Sequence, residues 1–272
     1  MTPPEDDRTV EAEIEVPGTP EEVWDAIATG PGMTAWFVPT ESDEREGGEV
    51  VQRHGPGAGM EVRAQITGWD PPRRLAYETE GWVPDEGAEP RRMATEFLVE
   101  ARAGGTCVVR VVNSGFGSGE EWDQAIESTR SGWGPALAGL RLYLEHFRGR
   151  AASSIVVGAP VPGSREEAWS SLLGALGLPD AEEGDRVATS AEGAPDIAGT
   201  VEFARRGQMI VRLERPAPGL GMVGAGGPGK AAYGFLRAQL FGDDAAAVAE
   251  RERDVWEAWM AAQPGRGAES DR

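Results

Sequence analysis

The chain holds one cysteine, one lysine (Lys230) and two histidines among its 272 residues. A lone Cys107 excludes an internal disulfide framework and a cysteine-based zinc site. His54 and His146 stand too far apart for a local metal-binding pair, so no metal and no cofactor is expected. Basic residues number 26 against 46 acidic ones, a net charge of −20. A surface of that sign repels phosphates, so neither a nucleic-acid partner nor attraction to anionic lipid headgroups is expected. No long apolar run is present, which argues against membrane insertion. The first residues, Met1 to Asp7, are acidic and polar where a secretory leader would be basic and then apolar. The expected compartment is the cytoplasm.

What is present is a repeat. Val16-Pro17-Gly18-Thr19-Pro20-Glu21-Glu22-Val23-Trp24 returns as Val161-Pro162-Gly163-Ser164-Arg165-Glu166-Glu167-Ala168-Trp169. The two stretches lie a domain's length apart, which points to duplication of a whole module rather than a short solenoid repeat. Thr19 and Ser164 read as helix N-caps, with Glu22 and Glu167 three positions on to complete a capping box. Each is preceded by a short alternating segment, so both modules open strand, tight connection, capped helix. The expected domains are 1–150 and 151–272.

The first module continues as strands. Glu49 to His54 is short, Glu61 to Trp69 alternates, Leu75, Tyr77 and Thr79 share a face in the next segment, Met93, Thr95, Phe97 and Val99 line one side of a fourth, and Thr106 to Val112 forms a fifth. Turn residues such as Gly47-Gly48, Gly55-Pro56-Gly57 and Gly104-Gly105 separate them, the pattern of an antiparallel meander with one buried face. Trp122, Ile126, Trp133, Leu137, Leu140, Leu144 and Phe147 then recur at helical spacing, with Gly132 and Pro135 expected to kink or interrupt the helix. In the second module Arg186 to Ser190, Ile197 to Ala204 and Met209 to Glu214 read as strands, and Ala245 to Ala262 as a closing helix. Pro216 to Lys230 is rich in Gly and Pro, so a smaller sheet is expected there. The fold class is α+β: a curved antiparallel sheet wrapped around a long C-terminal helix, duplicated with a reduced second copy.

These elements carry a resemblance. Pro20-Glu21-Glu22-Val23-Trp24, Trp36-Phe37, Asp43-Glu44-Arg45-Glu46-Gly47-Gly48, Trp69-Asp70-Pro71-Pro72-Arg73-Arg74-Leu75, Gly104-Gly105-Thr106 and Ser131-Gly132-Trp133 occur in the order seen in START-like helix-grip proteins. Residues 9 to 148 most resemble homologues of the activator of heat-shock-protein-90 ATPase, often labelled SRPBCC domain proteins. The resemblance implies a cavity between sheet and helix that holds an apolar molecule in many relatives. It does not imply one chemistry, because the superfamily spans carriers, receptors, cyclases and co-chaperone domains.

Two glycine motifs need weighing. Gly219-Leu220-Gly221-Met222-Val223-Gly224 fits a dinucleotide-binding pattern, and Gly224 to Lys230 fits the spacing of a phosphate loop. Ala231 replaces the hydroxyl that would hold magnesium, and Pro216 and Pro218 interrupt the strand that should lead in. The segment therefore reads as a flexible glycine loop.

The aromatic residues of the first module carry more. Trp36, Phe37, Trp82, Phe97, Phe116 and Trp133, with Leu137 and Leu140 on the helix, are candidates to line a pocket, since ligand sites are concave and mostly apolar. Arg53, His54, Tyr77 and Glu96 are its candidate polar members. The leading expectation is binding of a small apolar or amphipathic molecule. In that reading the second module packs on the first or supports a homodimer. A second expectation is a protein-interaction module acting on a chaperone or other protein partner. A third is a cyclase- or dehydratase-like enzyme using Glu96, His54 or Tyr77 as acid or base; no pair of titratable groups stands out, which favours binding over catalysis.

Overall fold

A computed structural model describes residues 8–55, 60–83, 89–205, 207–226 and 232–263. The chain divides into two compact units, Met1–Ala151 and Ala152–Arg272. Met1 to Asp7, Pro56 and Gly57 of the expected turn, and residues 227–231 with Lys230 of the phosphate-loop motif lie outside the described residues.

The first unit runs β1 (Arg8–Pro17), α1 (Pro20–Ala28), α2 (Gly30–Thr34), β2 (Thr40–Ser42), β3 (Glu49–Arg53), β4 (Glu61–Asp70), β5 (Arg74–Trp82), β6 (Arg91–Arg102), β7 (Thr106–Phe116) and α3 (Glu120–His146). Its seven strands form one antiparallel sheet in the order β1-β7-β6-β5-β4-β3-β2. The meander expected from alternation is present, and its opening strand closes onto its last. Gly104 and Gly105, both with positive φ, make the β6–β7 turn that a side chain would strain.

The capping box at α1 forms as read: Glu22 N donates to Thr19 Oγ1 at 3.3 Å, and Thr19 N donates to Glu22 Oε2 at 2.8 Å. Pro20 occupies the first turn, where no backbone donor is required. The helix buries Val23, Trp24 and Ile27, and Trp24 meets Trp69 edge to face at 5.0 Å. The helix α2 and the strand β2 follow, two short elements that local periodicity does not announce. Thr29, whose hydroxyl accepts from Gly32 N at 3.0 Å, caps α2. Helix α3 runs unbroken through Pro135, so the expected interruption does not occur. It buries Trp122, Ile126, Trp133, Leu137, Leu140 and Leu144, the predicted stripe. A fully buried side chain of that size contributes about 1.5–3 kcal/mol, which gives the helix its anchorage to the sheet.

The second unit comprises β8 (Ser153–Val161), α4 (Arg165–Leu176), β9 (Arg186–Ala188), β10 (Ala198–Arg205), β11 (Gln208–Arg215), β12 (Gly219–Gly226), β13 (Ala232–Leu240) and α5 (Ala245–Ala262). Its sheet order, β8-β13-β12-β11-β10-β9, again pairs the opening strand with the last. Ser164 and Glu167 repeat the capping box, at 3.2 Å and 2.7 Å. The second copy is therefore a helix-grip sheet reduced by one strand. The glycine segment is where expectation and structure part. Gly219 to Gly226 is the strand β12, in register with β11 on one side and β13 on the other. The glycines make room for large neighbours: a Cβ on Gly224 would meet the Phe235 ring at 2.4 Å, and one on Gly221 the Leu213 side chain at 2.9 Å. A strand in an antiparallel ladder presents no phosphate cradle.

No helix among the described residues is long and apolar enough to cross a membrane.

Candidate functional site

The site builds from strand register in the first unit. Tyr77 on β5 lies opposite Thr95 on β6, which lies opposite Asn113 on β7. Leu75, Phe97 and Val111 form the next aligned row, so both rows face the interior beneath α3. On β3, Val50 and Gln52 share that face, and His54 follows in the same alternation just past the strand end.

An aromatic group fills the middle. Phe37 stacks on Trp133 with centroids 5.8 Å apart and interplanar angle 14°, while Phe97 meets the same indole edge-on at 5.7 Å. Trp36 lies 5.3 Å from Phe37, His54 meets Phe37 edge-on at 5.5 Å, and Tyr77 lies 6.4 Å from Phe97. Leu137 and Leu140 are buried on the helix that carries Trp133. A second group sits at the N-terminal end of α3, where Trp122 contacts Trp82 at 5.5 Å and Phe116 at 6.5 Å. The guanidinium of Arg91 lies 5.9 Å above the Trp122 ring.

Through the aromatic group runs a belt of neutral polar side chains. Trp133 Nε1 donates to Asn113 Oδ1 at 2.5 Å, and Asn113 Nδ2 donates to Thr95 Oγ1 at 2.8 Å. The Tyr77 hydroxyl is hydrogen-bonded with Gln52 and Thr95, and Gln52 Nε2 points a proton at Met33 Sδ, 3.3 Å away. Burial pushes the Tyr77 phenol up to about 12, so this ring stays a neutral donor at any physiological pH. Asn113 and Gln52 are themselves buried, and each belongs to a chain of partners, as buried amides must.

Burial is uneven along this interior. Leu137, Leu140 and Leu144 seal the end under the second half of α3. Toward the other end Phe37, His54, Met60, Val62, Thr79, Met93 and Thr95 remain only partly buried. The inner face is thus closed at one end and reachable at the other, and Thr95 is the belt member nearest that opening.

Two of the expected polar members belong elsewhere. Arg53 alternates with Gln52 and pairs on the outer face with Glu41 at 2.9 Å and Glu61 at 3.4 Å. Glu96 alternates with Thr95 and Phe97 and pairs with Arg74 at 2.5 Å, also on the outer face. That face is a lattice of exposed charges around a shallow concavity of about 500 Å³ lined by Glu49, Arg63, Glu78, Glu80 and Arg92. Arg53 and Glu96 therefore leave the interior set, while Trp36, Phe37, His54, Tyr77, Phe97 and Trp133 come together in one contact chain. Trp82 and Phe116 join Trp122 instead. Gln52 and Asn113 escape a search for charged or aromatic residues; Thr95 is already visible in the alternation with Phe97. Among the described residues no cluster of His, Cys, Asp and Glu gathers to hold a metal ion.

Residues 17–145 match the family described as Activator of Hsp90 ATPase homolog 1-like protein. No curated protein matches the chain significantly. Among solved structures, the di-domain ARO/CYC BexL from the BE-7585A biosynthetic pathway is 14% identical with a TM-score of 0.47, over 94% of this chain and 100% of that one. DynU16, from the dynemicin biosynthetic locus, is 18% identical with a TM-score of 0.43, over 93% and 96%. Protein MLL2253 from Mesorhizobium loti is 20% identical with a TM-score of 0.44, over 52% of this chain and 98% of its own.

Proposed function

With residues 17–145 belonging to the Activator of Hsp90 ATPase homolog 1-like family, a branch of the START-like superfamily, we propose that the first unit binds a small apolar or amphipathic molecule between its sheet and α3. The observation that carries this reading is the half-open interior. A sheet and helix that only had to pack would bury their inner faces along the whole length, because exposed apolar surface costs about 25 cal/mol per Å². Here Phe37, Val62, Met93 and Trp82 keep part of their surface exposed at one end. Family membership supports a cavity in that place, and the aromatic rings supply an apolar lining with few polar groups, as small-molecule sites have.

The test is a titration of the full chain with N-phenyl-1-naphthylamine, an uncharged dye whose emission rises in apolar surroundings. Saturable enhancement is expected, and Met93→Trp, which plugs the open end, should remove it. No enhancement, or enhancement unaffected by Met93→Trp, sinks the reading. The family description also names activation of the Hsp90 ATPase. Under the binding reading, adding this protein leaves that ATPase rate unchanged.

A further inference from the structure

Among the described residues, the belt through the interior of the first unit is polar without carrying a fixed charge, and that combination selects among ligands. We infer that the site takes an uncharged molecule with a hydroxyl or carbonyl at its buried end, seated on Thr95 and Tyr77, and rejects carboxylates and phosphates of the same shape. This rests on the ligand-binding reading above and names the ligand class.

The argument starts from the inner-facing positions. Along β3 to β7 they carry Val, Ala, Ile, Leu, Phe, Met, Cys and the neutral polar residues Gln52, Tyr77, Thr79, Thr95 and Asn113. Among the described residues the one fixed cation in that alternation, Arg91, stands at the open end over Trp122, two positions along the strand beyond Met93, and the titratable imidazole of His54 lies against Phe37. An ionised carboxylate pushed in among Phe37, Phe97 and Trp133 would lose its water and gain no opposite charge, a far heavier penalty than a neutral oxygen meets. A hydroxyl or carbonyl finds partners that suit it. Thr95 Oγ1 accepts from Asn113 and shares a hydrogen bond with the Tyr77 hydroxyl, and because both hydroxyls are rotors one of their protons can turn to a newcomer while the other keeps the bond between them. Asn113 is held from the other side by Trp133, so Thr95 is aimed before any ligand arrives.

Three probes with one skeleton separate the possibilities: naphthalene, 2-naphthol and 2-naphthoate, titrated at neutral pH against the full chain by calorimetry. We expect 2-naphthol to bind about tenfold more tightly than naphthalene, the worth of one good hydrogen bond. We expect 2-naphthoate to bind at least about tenfold more weakly than 2-naphthol. Thr95→Val and Tyr77→Phe should each shrink the naphthol advantage while leaving naphthalene within about twofold of its original affinity. Thr95→Ser, which keeps the hydroxyl, should retain the advantage and guards against a folding defect in the valine variant. A carboxylate that binds as tightly as the phenol overturns the inference, as does a naphthol advantage that survives both substitutions. Naphthalene binding with no naphthol advantage overturns it while leaving the binding reading intact. If none of the three binds, both fall.

Discussion

Trp133 on α3 donates its indole N–H to the side-chain oxygen of Asn113 on β7, 2.5 Å away, so the long helix is fixed to the sheet by a directed bond as well as by apolar contact. Hydrophobic burial is indifferent to small slides of a helix along a sheet, whereas a hydrogen bond within an apolar interior is not. Asn113 passes the constraint on to Thr95 and Tyr77, and the whole belt stands or falls with it.

Replacing Asn113 by Leu should therefore destabilise the first unit by about 1–3 kcal/mol, because the buried Trp133 N–H is left unmet and Thr95 Oγ1 is orphaned of its donor. The double variant Asn113→Leu with Thr95→Val removes one of those orphans and should recover part of the loss. Urea unfolding followed by tryptophan fluorescence measures both; a single variant as stable as the original chain contradicts the account.

The phenol of Tyr77 gives a second expectation, at the alkaline side. Its folded value is raised to about 12 from an ordinary 10.0, chiefly by burial. A raised value means that the stabilisation is complete below pH 10 and drains away as pH climbs toward 12. Thermal melts across that range should show the first unit weakening with pH, and Tyr77→Phe should flatten its slope.

The two capping boxes make a matched pair. Thr19→Ala and Ser164→Ala should each cost about 1 kcal/mol, the first in the first unit and the second in the second. Hydrogen exchange at the first turns of α1 and α4 would localise the effect, and a loss spread evenly over both units would refute the assignment.

Acid reports on the same caps. The backbone N–H of Thr19, helped by the Arg148 guanidinium 2.9 Å away, holds the Glu22 carboxyl below its ordinary 4.5. The backbone N–H of Ser164 does so for Glu167. Lowered values place this stabilisation above pH 4.5 and remove it as pH falls through the folded-state values. Glu22→Gln and Glu167→Gln should each show a shallower acid limb in a melting curve.

In β12, Gly219 and Gly226 separate packing from any phosphate role. A Cβ on Gly219 would lie 2.3 Å from the carbonyl oxygen of Gln239, which cannot move without breaking the ladder. On Gly226 it would meet only Gln208 Nε2 at 3.9 Å. Gly219→Ala should cost about 1–3 kcal/mol of second-unit stability and Gly226→Ala close to nothing. Equal effects of the two would mean that contact with β13 is not what selects glycine there.

Much of this fold is legible because two signals are local. Capping boxes and helical stripes need only a few neighbouring residues to be recognised, and α5 begins and ends at Ala245 and Ala262 as its periodicity says. What stays hidden depends on partners distant in sequence. Gly-rich β12 reads as a loop because the rings and branched chains that cover its glycines, Phe235 and Leu213, belong to the neighbouring strands. Asn113 lies just past the end that alternation assigns to β7, which in the structure continues to Phe116. Arg53 and Glu96 illustrate a different failure. Both belong to correctly placed strands, but facing turns on a single residue of register, and His54 and Thr95 occupy the inward slots beside them.

In each unit the strand made first is completed by the strand made last, β1 by β7 and β8 by β13. During synthesis the opening ribbon must therefore wait for nearly its whole module to emerge before it finds its mate, a long loop to close and a slow step by topology.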